Sequence, residues 1–279
     1  GVEALQVKYL MGYNNPFSAK IYKMIFLPQE VGNNLHITID IDLQQYIDKA
    51  LDKSKGSVVV MDAETGEILA MVSHPNFNPN RLDNIEGDIL LNRATEGLFM
   101  PGSIFKVIVA ASALDNLESI SSIRYDCQGV IETGSRSISC YGGESHGQVD
   151  LNQAMTLSCN GYFVDIANKL GKEKLLKTAE AFGFNQDFIF PDLKLAASPL
   201  PLKGNVSGGK LALISIGQGD VQVTPLHMAM VASAIANDGI MMEPKLVYEV
   251  VGRSGRIQEK LQSKIYRKVM SRENAKIIQ

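Results

Sequence analysis

A chain of 279 residues that is 45% hydrophobic and 20% charged can bury a sizeable core, which excludes a disordered tail and predicts one large globular domain or two small ones. A formal net charge of -3, with Lys and Arg scattered along the chain, offers no basic stripe for a phosphate backbone, so no nucleic-acid partner is expected. The apolar runs, such as Val107 to Leu114, are too short to span a bilayer, and no charged stretch followed by an apolar one opens the chain; a leader or anchor is expected outside this sequence.

In chain order, residues 1–34 carry the breakers Gly12, Asn14, Asn15, Pro16 and Pro28, and read as an irregular connecting arm before a compact body of residues 35–279. His36 to Asp40 alternates as a strand, and apolar spacing at Leu43, Ile47, Ala50 and Leu51 predicts a helix from Asp42. Gly56 to Ser73 reads as a hairpin, two β-branched runs around the turn Asp62-Ala-Glu-Thr-Gly66. Ser103 to Leu117 is apolar on nearly all faces, as a helix at the centre of a domain is.

Leu151 to Leu176 predicts two helical segments interrupted near Gly171. The Pro- and Gly-rich stretch from Ser198 to Gly209 predicts a long surface loop, and Thr224 to Ala236 a helix entered through Pro225. The expected mixture is rich in helix and poor in strands.

Ser103 and Lys106 fall three residues apart at the start of the central helix, which puts an amine beside a hydroxyl. A serine is a weak nucleophile until a base takes its proton, and a lysine becomes that base when burial lowers its pKa. The pattern S-x-x-K is weak by itself, since Ser207-Gly-Gly-Lys210 matches it too and a helix-capping serine explains either pair. Context favours Ser103, because a charged Lys106 inside an apolar helix needs a reason to be there. Ser158-Cys159-Asn160 adds a hydroxyl that can relay a proton and an amide that can both donate and accept; a polar break between helices is the plainer reading.

Other chemistries find little support. Gly204 to Lys210 nearly spells a phosphate-binding loop, but Leu211 stands where a magnesium-binding Ser or Thr is required, and no nucleotide or other cofactor is expected. The histidines His36, His74, His146 and His227 form no His-Glu-x-x-His, and Cys127, Cys140 and Cys159 show no C-x-x-C spacing, so no metal is expected either. Cys127 and Cys140 flank a Gly- and Ser-rich stretch compatible with one disulfide or with two free thiols.

Taken in order, Thr38-Ile-Asp40, the hairpin, Ser73-His-Pro-Asn-Phe-Asn-Pro-Asn80, Asn92-Arg-Ala94, Pro101-Gly-Ser-Ile-Phe-Lys106, His146-Gly147, Ser158-Cys-Asn160, Ile216-Gly-Gln-Gly219, Val223-Thr-Pro-Leu226 and Asn237-Asp-Gly239 resemble the transpeptidase domain of class B penicillin-binding proteins. The resemblance implies an α/β (α+β) fold shared with serine β-lactamases, a helical body around a partial antiparallel sheet. It implies a serine D,D-transpeptidase that cross-links peptidoglycan stem peptides: Ser103 as nucleophile, Lys106 as base, Ser158 as proton relay and Asn160 as substrate ligand. Penicillin and other β-lactams would acylate the same serine. A membrane glycosyltransferase partner, an upstream pedestal domain joined through residues 1–34, and an anchor to the extracytoplasmic face of the bacterial membrane are further implications. A β-lactamase or carboxypeptidase of the same fold, or a non-catalytic penicillin sensor, are the alternatives.

One departure stands out: no K-T-G or K-S-G occurs in the sequence, and Lys177-Thr178 is followed by Ala179 within a predicted helix. In the family that strand completes the sheet, so the C-terminal strands are expected to be absent from this chain. A fragment, a chain paired with a separate remainder, or an inactive chain would each account for it. Two predicted strands alone would leave an open sheet edge, and poor independent stability is expected.

Overall fold

The computed structural model describes residues 1–12, 32–81, 87–134, 136–252 and 255–279. Residues 1–12 are not irregular: α1 (Val2–Leu5) and α2 (Val7–Leu10) are short helices. They are tied to the body, since the Gln6 side-chain amide donates to the Pro191 carbonyl at 3.1 Å and the Tyr9 hydroxyl to Glu259 at 2.5 Å. The expected breakers Asn14, Asn15, Pro16 and Pro28 lie outside the described residues.

The first strand, β1 (Asn34–Ile37), is two residues earlier than its pattern suggests, because Asp40 is taken by the next helix. Its carboxylate accepts from the backbone N–H groups of Asp42 and Leu43 and caps α3 (Ile41–Leu51). The hairpin forms as expected from β2 (Gly56–Met61) and β3 (Ile68–His74), in antiparallel register Val58 to Val72. Alternate residues Ile68, Ala70 and Val72 of β3 are buried, and α3 packs over the latter two through Ile47.

The helical body is centred on α4 (Lys106–Asn116), preceded by a 3-10 turn over Gly102–Phe105. Ile108, Val109, Ala110, Ala111 and Ala113 are fully buried, and the small alanines let neighbouring helices approach closely. Ile104 is the correction to an all-round apolar helix, being exposed on the turn beside Ser103. Around α4 lie α5 (Leu151–Thr156), α6 (Asn160–Leu170), α7 (Lys172–Ala181), α8 (Gly208–Ser215), α9 (Pro225–Ala236) and α10 (Arg272–Ile278).

Leu151 to Leu176 thus contains two breaks rather than one: at Gly171, as expected, and at Ser158, whose φ of 52° interrupts the hydrogen-bond ladder. The stretch from Ser198 to Gly209 lacks regular structure until α8 but is not a surface loop throughout. Leu200 and Leu202 are buried, and Asn185 clamps Leu200 by accepting from its N–H at 2.7 Å and donating to its carbonyl at 2.9 Å.

Strands are more numerous than the sequence pattern suggests, because several are only two to four residues long. Between α4 and α5 lie two small antiparallel pairs, β4 (Tyr125–Cys127) with β7 (Gly147–Val149) and β5 (Val130–Thr133) with β6 (Arg136–Ser139). β8 (Phe188–Ile189) pairs with β9 (Lys194–Leu195), and β10 (Ile240–Met242) with β13 (Ile265–Lys268). β11 (Val247–Val251) sits between β1 and β12 (Ile257–Lys260). The start of β3 is linked toward the β1-β11-β12 sheet, since Thr38 N–H donates to the Leu246 carbonyl and Ile68 N–H to that of Lys245, but β2 and β3 remain a two-stranded sheet, and among the described residues no strand pairs with the outer edge of β2, as expected. Among the described residues no helix is long and apolar enough to cross a membrane.

Candidate active site

Pro101 and Gly102, the latter at φ 59°, turn the chain into the 3-10 segment that carries Ser103 at the surface. In that tight turn side chains three apart nearly eclipse, and Lys106 Nζ comes 3.2 Å from Ser103 Oγ. The turn is braced from a distant segment: Gly102 N–H donates to the Gly217 carbonyl at 2.9 Å. Gly217 has φ 71°, and a Cβ there would fall 1.9 Å from the Gly102 carbonyl oxygen, so only glycine admits this approach.

The break before α6 brings the second pair. Lys106 Nζ lies 2.7 Å from the Ser158 carbonyl oxygen, 2.9 Å from Ser158 Oγ and 2.6 Å from Asn160 Oδ1. Asn160 is oriented from its other end, since Nδ2 donates to the Ser139 carbonyl at 2.8 Å at the end of β6. That fixes Oδ1 as the atom facing the lysine. All four residues singled out from sequence therefore meet at one amine. Gly217, the Ser139 carbonyl and the Phe163 ring, 5.6 Å from Nζ, are contributors that sequence reasoning missed. The Gly-Gln-Gly219 landmark was the one available signal for the first of them.

Lys106 is only 2% exposed, and among the described residues no carboxylate pairs with it. Burial penalises the ammonium and pulls its pKa down to about 8, against a smaller opposing pull from Cys140 and Cys159 beside it. About one lysine in ten is then neutral at pH 7, against one in a few thousand for an exposed side chain. A neutral amine has two N–H groups and one lone pair. The Ser158 carbonyl and Asn160 Oδ1 can only accept, so they hold the two N–H groups and leave the lone pair free to accept from one hydroxyl at a time, Ser103 or Ser158. The arrangement can take a proton from Ser103 and pass one through Ser158.

The competing pair behaves differently. Ser207 Oγ accepts from Lys210 N–H at 3.3 Å and caps α8, while Lys210 Nζ pairs with Asp220 at 2.9 Å. The Lys210 amine is thus engaged by a carboxylate rather than by a serine hydroxyl.

Residues 56–279 match the family model for the penicillin-binding protein transpeptidase domain. The chain belongs to that family. Among curated relatives it is 35% identical over 245 residues to the peptidoglycan D,D-transpeptidase PbpA of Mycolicibacterium smegmatis, covering 79% of this chain and 50% of that protein. It is 31% identical over 242 residues to the peptidoglycan D,D-transpeptidase MrdA of Acinetobacter baumannii, covering 77% and 35%. The chain thus spans about half the length, or less, of these relatives. The structure of penicillin-binding protein A from M. tuberculosis as a penicillin G acyl-enzyme complex superposes with a TM-score of 0.88 at 29% identity, over 99% of this chain and 69% of that one. These matches make it a class B penicillin-binding protein domain with the transpeptidase fold.

The thiols are free: Cys127, Cys140 and Cys159 form no disulfide. The expectation of no metal rested on the lack of a paired C-x-x-C pattern, and that criterion does not reach ligands drawn from separate segments. The fold gathers these three cysteines and His146, with donor atoms all within 4.8 Å of one another, directly behind the Ser158–Asn160 turn.

Proposed function

We propose that this chain carries the acylating machinery of a serine D,D-transpeptidase. The observation that carries the reading is Lys106: a buried lysine with no carboxylate partner among the described residues, held by two acceptor-only oxygens and aimed at two serine hydroxyls. Ser103 Oγ attacks the carbonyl between two terminal D-alanines of a stem peptide as Lys106 removes its proton. The proton reaches the leaving amine through Ser158, D-alanine departs, and an ester to Ser103 remains. An amine of a second stem peptide then attacks the ester, forming the cross-link and returning the proton to Ser103. With a β-lactam the leaving amine stays tethered in the opened ring, so the adduct retains the whole drug.

The same reading places the protein on the extracytoplasmic face of a bacterial membrane, held by an anchor and pedestal domain to which residues 1–34 lead, and working beside a membrane glycosyltransferase. The relatives' naming as peptidoglycan D,D-transpeptidases supports the substrate class.

Intact mass of the chain after incubation with penicillin tests this. One drug-sized adduct that persists, mapping to Ser103 and lost in Ser103→Ala, is expected. No adduct on the wild-type chain would overturn the assignment of Ser103, and an adduct that turns over rapidly would instead favour a β-lactamase or carboxypeptidase.

A further inference from the structure

Resting on the transpeptidase reading above, we propose that Arg136 closes the far end of the stem-peptide groove and binds a free carboxylate carried one or two residues before the acyl D-alanine. A cavity of about 380 Å³ lies between β6 and the segment from Ser207 to Asp220, with Arg136 on one wall and Leu213, Ile214, Gly219 and Asp220 on the other. Both walls run to the reacting groups. β6 ends at Ser139, whose carbonyl holds Asn160, and Gly219 lies two residues beyond Gly217, which holds the turn of Ser103. The cavity thus continues the cleft between the nucleophile and the amide.

The distance suits a peptide. Arg136 stands three residues from Ser139 along β6, about 10 Å at roughly 3.3 Å per residue. An extended peptide advances about 3.3–3.6 Å per residue, so one or two residues and a side chain cover the same span.

An arginine that only solubilises a hairpin would stand on its outer face. Side chains alternate along a strand, and Arg136 shares its face with buried Ile138, so its stem starts on the inward side. A Cβ built at Gly209 would lie 3.6 Å from Arg136 Cδ. The stem is thereby laid along the first turn of α8 while the guanidinium emerges into the cavity.

The charged groups on the cavity are Arg136, Lys210 and Asp220. Lys210 and Asp220 pair with each other, which cancels the one acidic charge there, and among the described residues no carboxylate pairs with Arg136. Thr133, the cross-strand neighbour of Arg136, is 7% exposed, and among the described residues its hydroxyl has no hydrogen-bond partner. This end of the hairpin thus holds a cation and a buried hydroxyl whose hydrogen bonding is incomplete. A guanidinium is a planar fork that takes a carboxylate through two parallel N–H···O bonds, which selects a free carboxylate over its amide.

Three penicillins of matched length test this on the wild-type chain: side chains extended as a peptide with a carboxylate on its first residue, with one on its second, or with amides at both. One of the carboxylate forms should acylate Ser103 about tenfold faster than the diamide at subsaturating drug, and which one it is assigns the position. The gain should sit in the affinity of the pre-covalent complex, leave the acylation step unchanged, and shrink at high salt. Arg136→Gln should erase the preference while penicillin G acylates at the wild-type rate. Equal rates for the three compounds on the wild-type chain, or a preference that survives Arg136→Gln, would overturn the proposal. Failure of penicillin G itself to form an adduct would instead strike the transpeptidase reading on which the proposal rests.

Discussion

The two S-x-x-K segments carry the same residues at the same spacing and end as opposites. At Ser103 the serine is exposed and the lysine is buried among oxygens that only accept; at Ser207 the serine caps a helix and the lysine reaches solvent and Asp220. What separates them is what arrives from elsewhere in the chain. Lys106 is met by the Ser158–Asn160 turn and α6, while β6 holds Asn160 and the Gly217 loop holds the Ser103 turn, whereas Lys210 meets one acidic side chain ten residues on. What distinguishes the two lysines is thus desolvation, and desolvation is a property of the fold.

Paired substitutions break or sharpen this contrast. The largest effect is expected from Lys106→Met, which keeps the bulk of the stem and removes the base: β-lactam acylation should fall by about 10²–10⁴, while Lys210→Met leaves the rate unchanged. Stopped-flow or quenched mass measurements of adduct formation decide it, and equal losses at both sites would erase the distinction.

Next come the glycines beside the two segments. Gly217→Ala places a Cβ against the Gly102 carbonyl and should cost about 3 kcal/mol or more in denaturant unfolding, or displace the Ser103 turn and slow acylation. Gly204→Ala, also at positive φ but with nothing within 4 Å of its Cβ, should cost only about 1 kcal/mol.

The pH dependence is a finer test. On the proposed mechanism Lys106 must be neutral to act, and burial brings its pKa down to about 8, so the acylation rate should rise about tenfold per pH unit below that value and level off above it. A midpoint near the ordinary lysine value, or a flat profile, would show that burial has not prepared the amine. The smallest effects belong to the second segment: Ser207→Ala should cost about 1 kcal/mol as a lost cap, and Lys210→Ala within about 0.5 kcal/mol as a surface pair, both read as shifts in unfolding midpoint with acylation intact.

Much of the fold could be read from the chain because its signals are local. The hairpin follows from alternation on either side of an Asp-to-Gly turn, in which Asp62 accepts from the N–H groups of Glu64 and Thr65. The capping box of Asp150 with Gln153 and the Thr224-Pro225 start of α9 are likewise contained within a few residues. The short strands β4 to β13 were not readable, since two to five residues carry too little period and several partners, as in β4 with β7 and β10 with β13, are remote in sequence. The buried path through Leu200 and Leu202 was missed for a related reason: proline and glycine signal an irregular backbone, not an exposed one.

For the site, residue identity named Ser103, Lys106, Ser158 and Asn160, and the order of landmarks pointed to the family. Sequence alone determined those chemical groups and the local turns and caps that present them, because such features depend on neighbours a few positions away. Only the tertiary structure decided which S-x-x-K lysine loses its solvent, where Ser158 breaks the helix, how Gly217 braces the nucleophile turn, and that three cysteines and a histidine face one point. Each of those depends on contacts between distant segments, where burial and close approach set the energies.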